Sequence, residues 1–126
     1  MLIRTATPAD AGAILQVTRE AFTLYHDELH ADYVVRGLVE TEQDIVADIT
    51  DNHVYVAEQD GKIVGSIRFT GLTEDLAYIY RFGVSPAINN TGIGSKLLAT
   101  VIDECRQENF KAIALHTNAR YYKLAR

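Results

Sequence analysis

The stretch "NNTGIGSKLL", Asn89 to Leu98, sets two glycines in a polar turn that runs straight into an apolar ladder. A turn between a strand and a helix aims several free backbone N–H groups, and the positive end of the helix dipole, at one spot. Glycine at 92 and 94 removes Cβ atoms that would hold an anion away from the backbone, and it permits positive φ. The chemistry on offer is therefore phosphate binding. A P-loop would need G-x-x-x-x-G-K-[ST], but Gly94 is followed by Ser95 and then Lys96, and position 89 is Asn. A Rossmann turn would need a third glycine where Leu97 stands. Neither nucleotide motif fits.

Elements on both sides must hold this turn in place. "LIRTATPADAGAILQVTREAFT" predicts a strand, Leu2 to Thr5, then a helix capped by Thr7 with Pro8 at its first position. Its buried stripe is Ile14, Leu15, Val17, Ala21 and Phe22. Further along, Thr41 caps a run in which Ile45, Val46 and Ile49 recur at helical spacing. From His53 the pattern turns to β. Strands are expected from His53 to Glu58, Ile63 to Thr70 and Leu76 to Val84, split by "QDGK", a strong hairpin signal, and by "GLTED". After Pro86 and the glycine turn comes a helix with Ile93, Leu97, Leu98, Val101, Ile102 and Cys105 on one face, then "KAIALHT", a short buried strand. Strand, turn, helix, strand is a βαβ crossover, and the whole reads as one α/β (α+β) domain over residues 1–126.

The chain has 126 residues, 48% of them apolar and 23% charged, and a formal net charge of −5. These values suit a folded domain, and the acidic balance repels nucleic acid phosphates while favouring cationic partners such as amines. The single cysteine, Cys105, leaves no internal disulfide, and no Cys/His set stands at metal-ligand spacing, so no metal is expected. No signal peptide or membrane-length apolar run is seen, and the expected compartment is the cytoplasm.

The string "YIYRFGVSPAINNTGIGSKLLATVIDE" resembles the acetyl-CoA-binding core of the GNAT superfamily of N-acetyltransferases. There a fourth strand ending in Val-x-Pro leads into a [QR]-x-x-G-x-[GA] turn and a helix. Val84, Pro86, Gly92, Ile93, Gly94, Leu97 and Leu98 carry the match, and the order of elements agrees along nearly the whole chain. The resemblance implies a mostly antiparallel mixed sheet with flanking helices and acetyl-CoA as cosubstrate. Amides of Thr91, Gly92, Ile93, Gly94 and Ser95, with Asn89 and Asn90 beside them, would cradle the pyrophosphate. Asn89 departs from the family's Gln or Arg and should give a weaker side-chain contact. Phe82, Gly83 and Val84 would pair with the pantetheine arm at a splay opened by a bulge, for which Gly83 is suited.

Acetyl transfer implied in this way needs a neutral amine, and therefore a proton acceptor. The family often uses a Glu on or near the fourth strand, yet "LAYIYRFGV" has no carboxylate. The nearest acids are Glu74 and Asp75; His26, Asp27 and Glu28 lie between the first helices; and His116, near the end of the fifth strand, could titrate near neutral pH. A backbone N–H near Val84 should meet the oxyanion. Tyr78 and Tyr80, on one face of the fourth strand, suit packing or a substrate wall. A covalent route through Cys105 is disfavoured, because that residue sits on a buried stripe. Finally, "HTNARYYKLAR" looks like the start of a further helix. The chain would then be truncated before the family's closing strands, leaving the fifth strand an exposed edge that invites a homodimer. Tyr121 and Tyr122 fall in that stretch and read as packing residues. The expected acceptor is a small-molecule or peptide amine, with no nucleic acid or membrane partner. A non-catalytic acyl-CoA-binding or regulatory module is the alternative, and an interaction protein with a vestigial site is a second.

Overall fold

A computed structural model of the chain describes residues 1–24, 39–88, 91–115 and 120–123. Six strands form one sheet in sequence order: β1 (Leu2–Thr5), β2 (His53–Gln59), β3 (Lys62–Gly71), β4 (Leu76–Val84), β5 (Ala112–Leu115) and β6 (Arg120–Lys123). All neighbours run antiparallel except β4 and β5, which are parallel and joined through helix α3 (Ile93–Gln107). Among the described residues, helices α1 (Ala11–Leu24) and α2 (Glu42–Asp51) cover the sheet's other face.

Local chemistry accounts for these boundaries. Thr7 precedes a short 3₁₀ turn, Pro8–Asp10, that feeds α1, and its backbone N–H donates to Asp10 Oδ2 at 2.8 Å. Thr41 and Asp44 make the reciprocal capping pair at α2: Thr41 Oγ1 accepts from the Asp44 N–H at 3.2 Å, and the Thr41 N–H donates to Asp44 Oδ2 at 2.9 Å. The β2–β3 hairpin turns at Asp60 and Gly61, with φ of 53° and 77°, the double positive φ that the "DG" pair favours.

Alternation along β2 sorts the core into two layers. Tyr55 and Ala57 join Ile67, Phe69, Ala77, Ile79 and Ile113 against Leu97, Val101 and Cys105 of α3. Val54, Val56 and Ile63 meet Ala11, Ile14 and Val17 of α1 and Ile45 of α2 on the other face. The helical stripes fall as expected: Ile93, Leu97, Val101 and Cys105 are buried, with Leu98 and Ile102 packed at the margin.

The carboxy-terminal reading needs correction. Arg120–Lys123 is a strand, not part of a helix, and it pairs antiparallel with β5 from Ala112↔Lys123 to Leu115↔Arg120. The aromatic pair Tyr121–Tyr122 is at least as suited to a strand as to a helix, and the open β5 edge supplies backbone groups for it to bond. That edge is therefore paired, and the ground for expecting a dimer through it is gone. Among the described residues no helix is long and apolar enough to cross a membrane.

Candidate functional site

Parallel pairing between β4 and β5 runs from Leu76↔Ala112 to Ile79↔Leu115 and stops there. Beyond Ile79, β4 continues for five residues with β3 on one side and no paired strand on the other among the described residues. The strands thus part at the point where the resemblance calls for a splay.

The bulge that turns β4 away is not at Gly83. The register against β3 shifts between Ser66↔Gly83 and Arg68↔Tyr80, and the residue in the left-handed region is Arg81, with φ of 49°. Gly83 has no positive φ; a Cβ there would lie 2.8 Å from Ala21 Cβ, so its small size serves the close approach of α1. The expectation failed because glycine is demanded by packing at 83, while tertiary contacts hold an arginine in the conformation glycine would have taken at 81.

The bulge also resets which way the side chains point. Ile79 faces α3, Tyr80 and Arg81 both turn to the face covered by α1 and α2, and Phe82 and Val84 return to the α3 side. The Ser85 N–H donates to Val64 O at 2.8 Å. By the alternation of an antiparallel ladder, Gly83 bonds toward β3 and the N–H of Val84 points away from it, into the opening left by β5.

Next to this opening stands the start of α3. Gly92 is the N-cap with φ of 84°, which a side chain would resist, and nothing lies within 4 Å of where its Cβ would be. The first helical bond is Lys96 N–H to Gly92 O at 3.1 Å, so the amides of Ile93, Gly94 and Ser95 have no acceptor inside the helix. Gly94 has helical geometry, and a Cβ there would sit 3.5 Å from Val84 Cγ2 and 3.6 Å from Phe82 Cζ. Phe82, Val84 and the glycine turn are therefore brought together. Thr91 Oγ1 donates to Ile88 O at 2.7 Å and ties the turn to the Pro86–Ile88 segment. Asn89, Asn90, His116, His26, Asp27 and Glu28 lie outside the described residues.

Glu74 is exposed in the turn before β4, at the far end of that strand from Val84, and it is not brought to the glycine turn. Cys105 is fully buried, and burial pushes its thiol up to about 12, which suits a packing role.

Sequence reasoning missed an ionic cluster under the bulge. Arg68 is wholly buried on β3, donating from Nη1 and Nη2 to the two Glu40 oxygens at 2.8 Å each and from Nη1 to Asp48 Oδ2 at 3.3 Å. Burial alone would push this guanidinium down, but its bonds to Glu40 and the charges of Glu40 and Asp48 turn the net shift upward. Tyr80 Oη donates to both Asp48 oxygens at 2.8 Å, and Arg81 Nε lies 3.6 Å from Glu40 Oε2. Burial first, then the Asp48 bond and charge, raise the Tyr80 phenol far above its ordinary value and keep it protonated. The signal was Arg68 itself: a charge in the run "IVGSIRFT" at a core-facing position needs a buried carboxylate. Tyr78 stacks on Tyr80, ring centroids 5.6 Å apart and 8° from parallel.

Comparison with known proteins bears on this geometry. The acetyltransferase (GNAT) family model matches residues 16–125. "Probable N-acetyltransferase camello" of Xenopus tropicalis is 40% identical over 65 residues, which are 50% of this chain and 30% of that protein. The match thus spans about a third of the relative's length. Among solved structures, the PaiA N-acetyltransferase of Thermoplasma acidophilum in complex with coenzyme A superposes with a TM-score of 0.78 at 19% identity, over 90% of this chain and 77% of that one. The ribosomal-protein-alanine N-acetyltransferase of Brucella melitensis gives a TM-score of 0.72 at 23% identity, over 91% and 73%. At these identities the two structures speak for the fold.

Proposed function

The chain belongs to the acetyltransferase (GNAT) family, and from that premise we propose that it is an N-acetyltransferase moving the acetyl group of acetyl-CoA to a primary amine, by direct attack within a ternary complex. The observation that carries this reading is the juxtaposition at the end of β4. A strand edge unpaired among the described residues, with the Val84 N–H turned outward, adjoins a Gly92-capped helix start with three amides free of helical partners. The strand edge suits the amide-bearing pantetheine arm, and the helix start suits the pyrophosphate.

In this reading the amine nitrogen attacks the thioester carbon, and the Val84 N–H meets the charge that develops on the carbonyl oxygen. The C–S bond then breaks. With a thiol pKa of about 8.5 the departing thiolate is a fair leaving group, and the amine's surplus proton passes to a base. His116 is retained for that role on its sequence alone, as an imidazole that can titrate near neutral pH. The amine itself, small molecule or peptide, is the open variable of the proposal. CoA-bound structural relatives such as the Thermoplasma enzyme support the cosubstrate. A lone buried thiol, Cys105, suits the cytoplasm.

Calorimetry and turnover test the reading together. Micromolar CoA affinity in the wild type that vanishes in Gly92→Val is expected, along with thiol release from acetyl-CoA in the presence of at least one amine of a broad panel. CoA binding without thiol release at any amine or pH would leave the non-catalytic acyl-CoA-binding module in its place. No CoA binding at all would remove both.

A further inference from the structure

The bulge that directs Val84 into the opening is built on an arginine in a conformation that costs a side chain about 1 kcal/mol or more, so something must hold it. We infer that Glu40 is a positioning residue for acetyl transfer: its carboxylate clamps Arg68 and Arg81 and so fixes which amide of β4 faces the cosubstrate.

Both bulge residues are tied to carboxylates on the same side. Tyr80 donates to Asp48 at 2.8 Å, and Arg81 Nε stands 3.6 Å from Glu40. Across the strand pair, Arg68 sits opposite Tyr80 and bonds both carboxylates, taking Glu40 in two-point fashion. Asp48 is itself steadied by Asn52 Nδ2 at 2.6 Å, at the end of α2. The side chains of Glu40 and Asp48 are only 10% and 16% exposed, so solvent screens these contacts weakly. The result joins β3, both bulge residues and the entry to α2 in one buried unit.

Its consequence lies in strand alternation. Losing the bulge, so that everything after Arg81 slips one residue against β3, would invert Phe82 to Val84, returning the Val84 N–H to β3 and turning another amide into the opening. Nothing in the backbone preference of Arg81 opposes such a slip, because the left-handed conformation is unfavourable there. The clamp does. Glu40 touches neither cosubstrate nor amine in this account; it acts through Arg81 and Arg68. The glycine turn is held separately, by the α3 cap and by Thr91, so the clamp should govern the reacting end of the cosubstrate and spare its pyrophosphate end.

This inference rests on the acetyl-transfer reading above, and the test separates the two. Arg81→Ala keeps the unfavourable positive φ and loses the Glu40 contact while Arg68 stays paired, so it reads the clamp even if Glu40→Gln, which strips a charge from buried Arg68, does not fold. For both variants we would measure CoA affinity and stoichiometry by calorimetry, kcat per CoA-binding site, and residue-resolved amide hydrogen exchange at Val84 with and without CoA. The expected result is affinity within about threefold of wild type, loss of CoA-dependent protection at Val84, and kcat per site lowered about 10- to 100-fold, the scale of a misplaced oxyanion donor. In the background of Arg81→Ala, Glu40→Gln should lower kcat per site by less than it does alone. Wild-type protection and wild-type kcat per site in Arg81→Ala would overturn the inference while leaving the acetyltransferase reading intact. So would activity lost only in proportion to lost binding sites. A wild-type chain that binds CoA without protecting Val84 would overturn this inference, and one that binds no CoA would remove both readings.

Discussion

The two faces of the sheet are built from different materials. Under α3 the layer is apolar: Ile67, Phe69, Ala77, Ile79 and Ile113 meet Leu97, Val101 and Cys105, and burial of hydrocarbon supplies the stabilisation. Under α1 and α2 the layer starts the same way, with Val54, Val56 and Ile14, but beside the β4 bulge it becomes ionic, with Arg68 at zero exposure among Glu40, Asp48 and Tyr80. An apolar layer tolerates small shifts, because its contacts are non-directional. A buried guanidinium does not, because its bonds hold only at set distances and angles, and failure leaves a charge stranded. The ionic layer is where the chain fixes an unusual backbone, and the apolar layer is where it is merely stable.

The sharpest way to break that comparison is to remove the buried cation. Arg68→Met leaves Glu40 and Asp48 facing each other without it, and should lower stability by about 3–5 kcal/mol in urea denaturation. Adding Glu40→Gln to that variant should recover part of the loss. On the opposite face, Leu97→Ala removes a fully buried side chain that packs close to Gly65, and should cost about 3 kcal/mol through lost transfer energy and a cavity. Here no second substitution of a polar neighbour should recover anything. If the Arg68 variant proves as mild as a surface change, the ionic layer is ornament and the bulge is held by something else.

The difference between the faces also explains what could be read in advance. The α3 stripe, the strand from Leu76 to Val84 and the Thr41 cap all follow from periodicity and local capping, whose causes lie within a few residues of sequence. The glycine turn was legible for the same reason: positive φ at 92 and the strand–helix junction are local facts. The ionic cluster was not, since it joins Glu40, Asp48, Arg68 and Tyr80 across 28, 20 and 32 residues of separation. The bulge inherits that invisibility, because Arg81 adopts its conformation on account of those distant partners. The strand Arg120–Lys123 was misread as helix because its choice depends on an edge that only the folded sheet presents.

The glycine turn permits a finer comparison, between two neighbours with opposite needs. Gly92 requires positive φ but has open space, so Gly92→Ala should destabilise by about 1 kcal/mol for conformational reasons alone. Gly94 is helical, and a Cβ would make ordinary contacts with Val84 and Phe82, so Gly94→Ala should leave stability unchanged or raise it by about 0.5 kcal/mol. Thermal denaturation reads both. If close backbone approach by pyrophosphate is what these residues serve, calorimetry should show weaker CoA binding in each variant despite their opposite effects on stability.

The smallest effect belongs to a second ionic cluster, which serves as the control for the first. At the β1 edge Arg4 donates to Asp10 at 2.8 and 3.0 Å and to Glu58 at 2.9 Å, with side chains of Arg4 and Glu58 about a third exposed. The Arg4 bonds, aided by Thr7, hold the Asp10 carboxyl at about 2, below its ordinary 3.8. A carboxyl lowered in the folded state contributes stability above its unfolded value, and that contribution fades as pH falls from about 4 toward 2, where the unfolded chain takes up the proton first. Solvent screening limits it, so Asp10→Asn should cost only about 0.5 kcal/mol at pH 7. Urea midpoints of wild type and variant should differ by a constant amount from pH 7 to about 4 and converge by about pH 2. Two arginine–carboxylate clusters in one chain would then differ severalfold in worth, and burial rather than the number of ion pairs would be the variable that separates them.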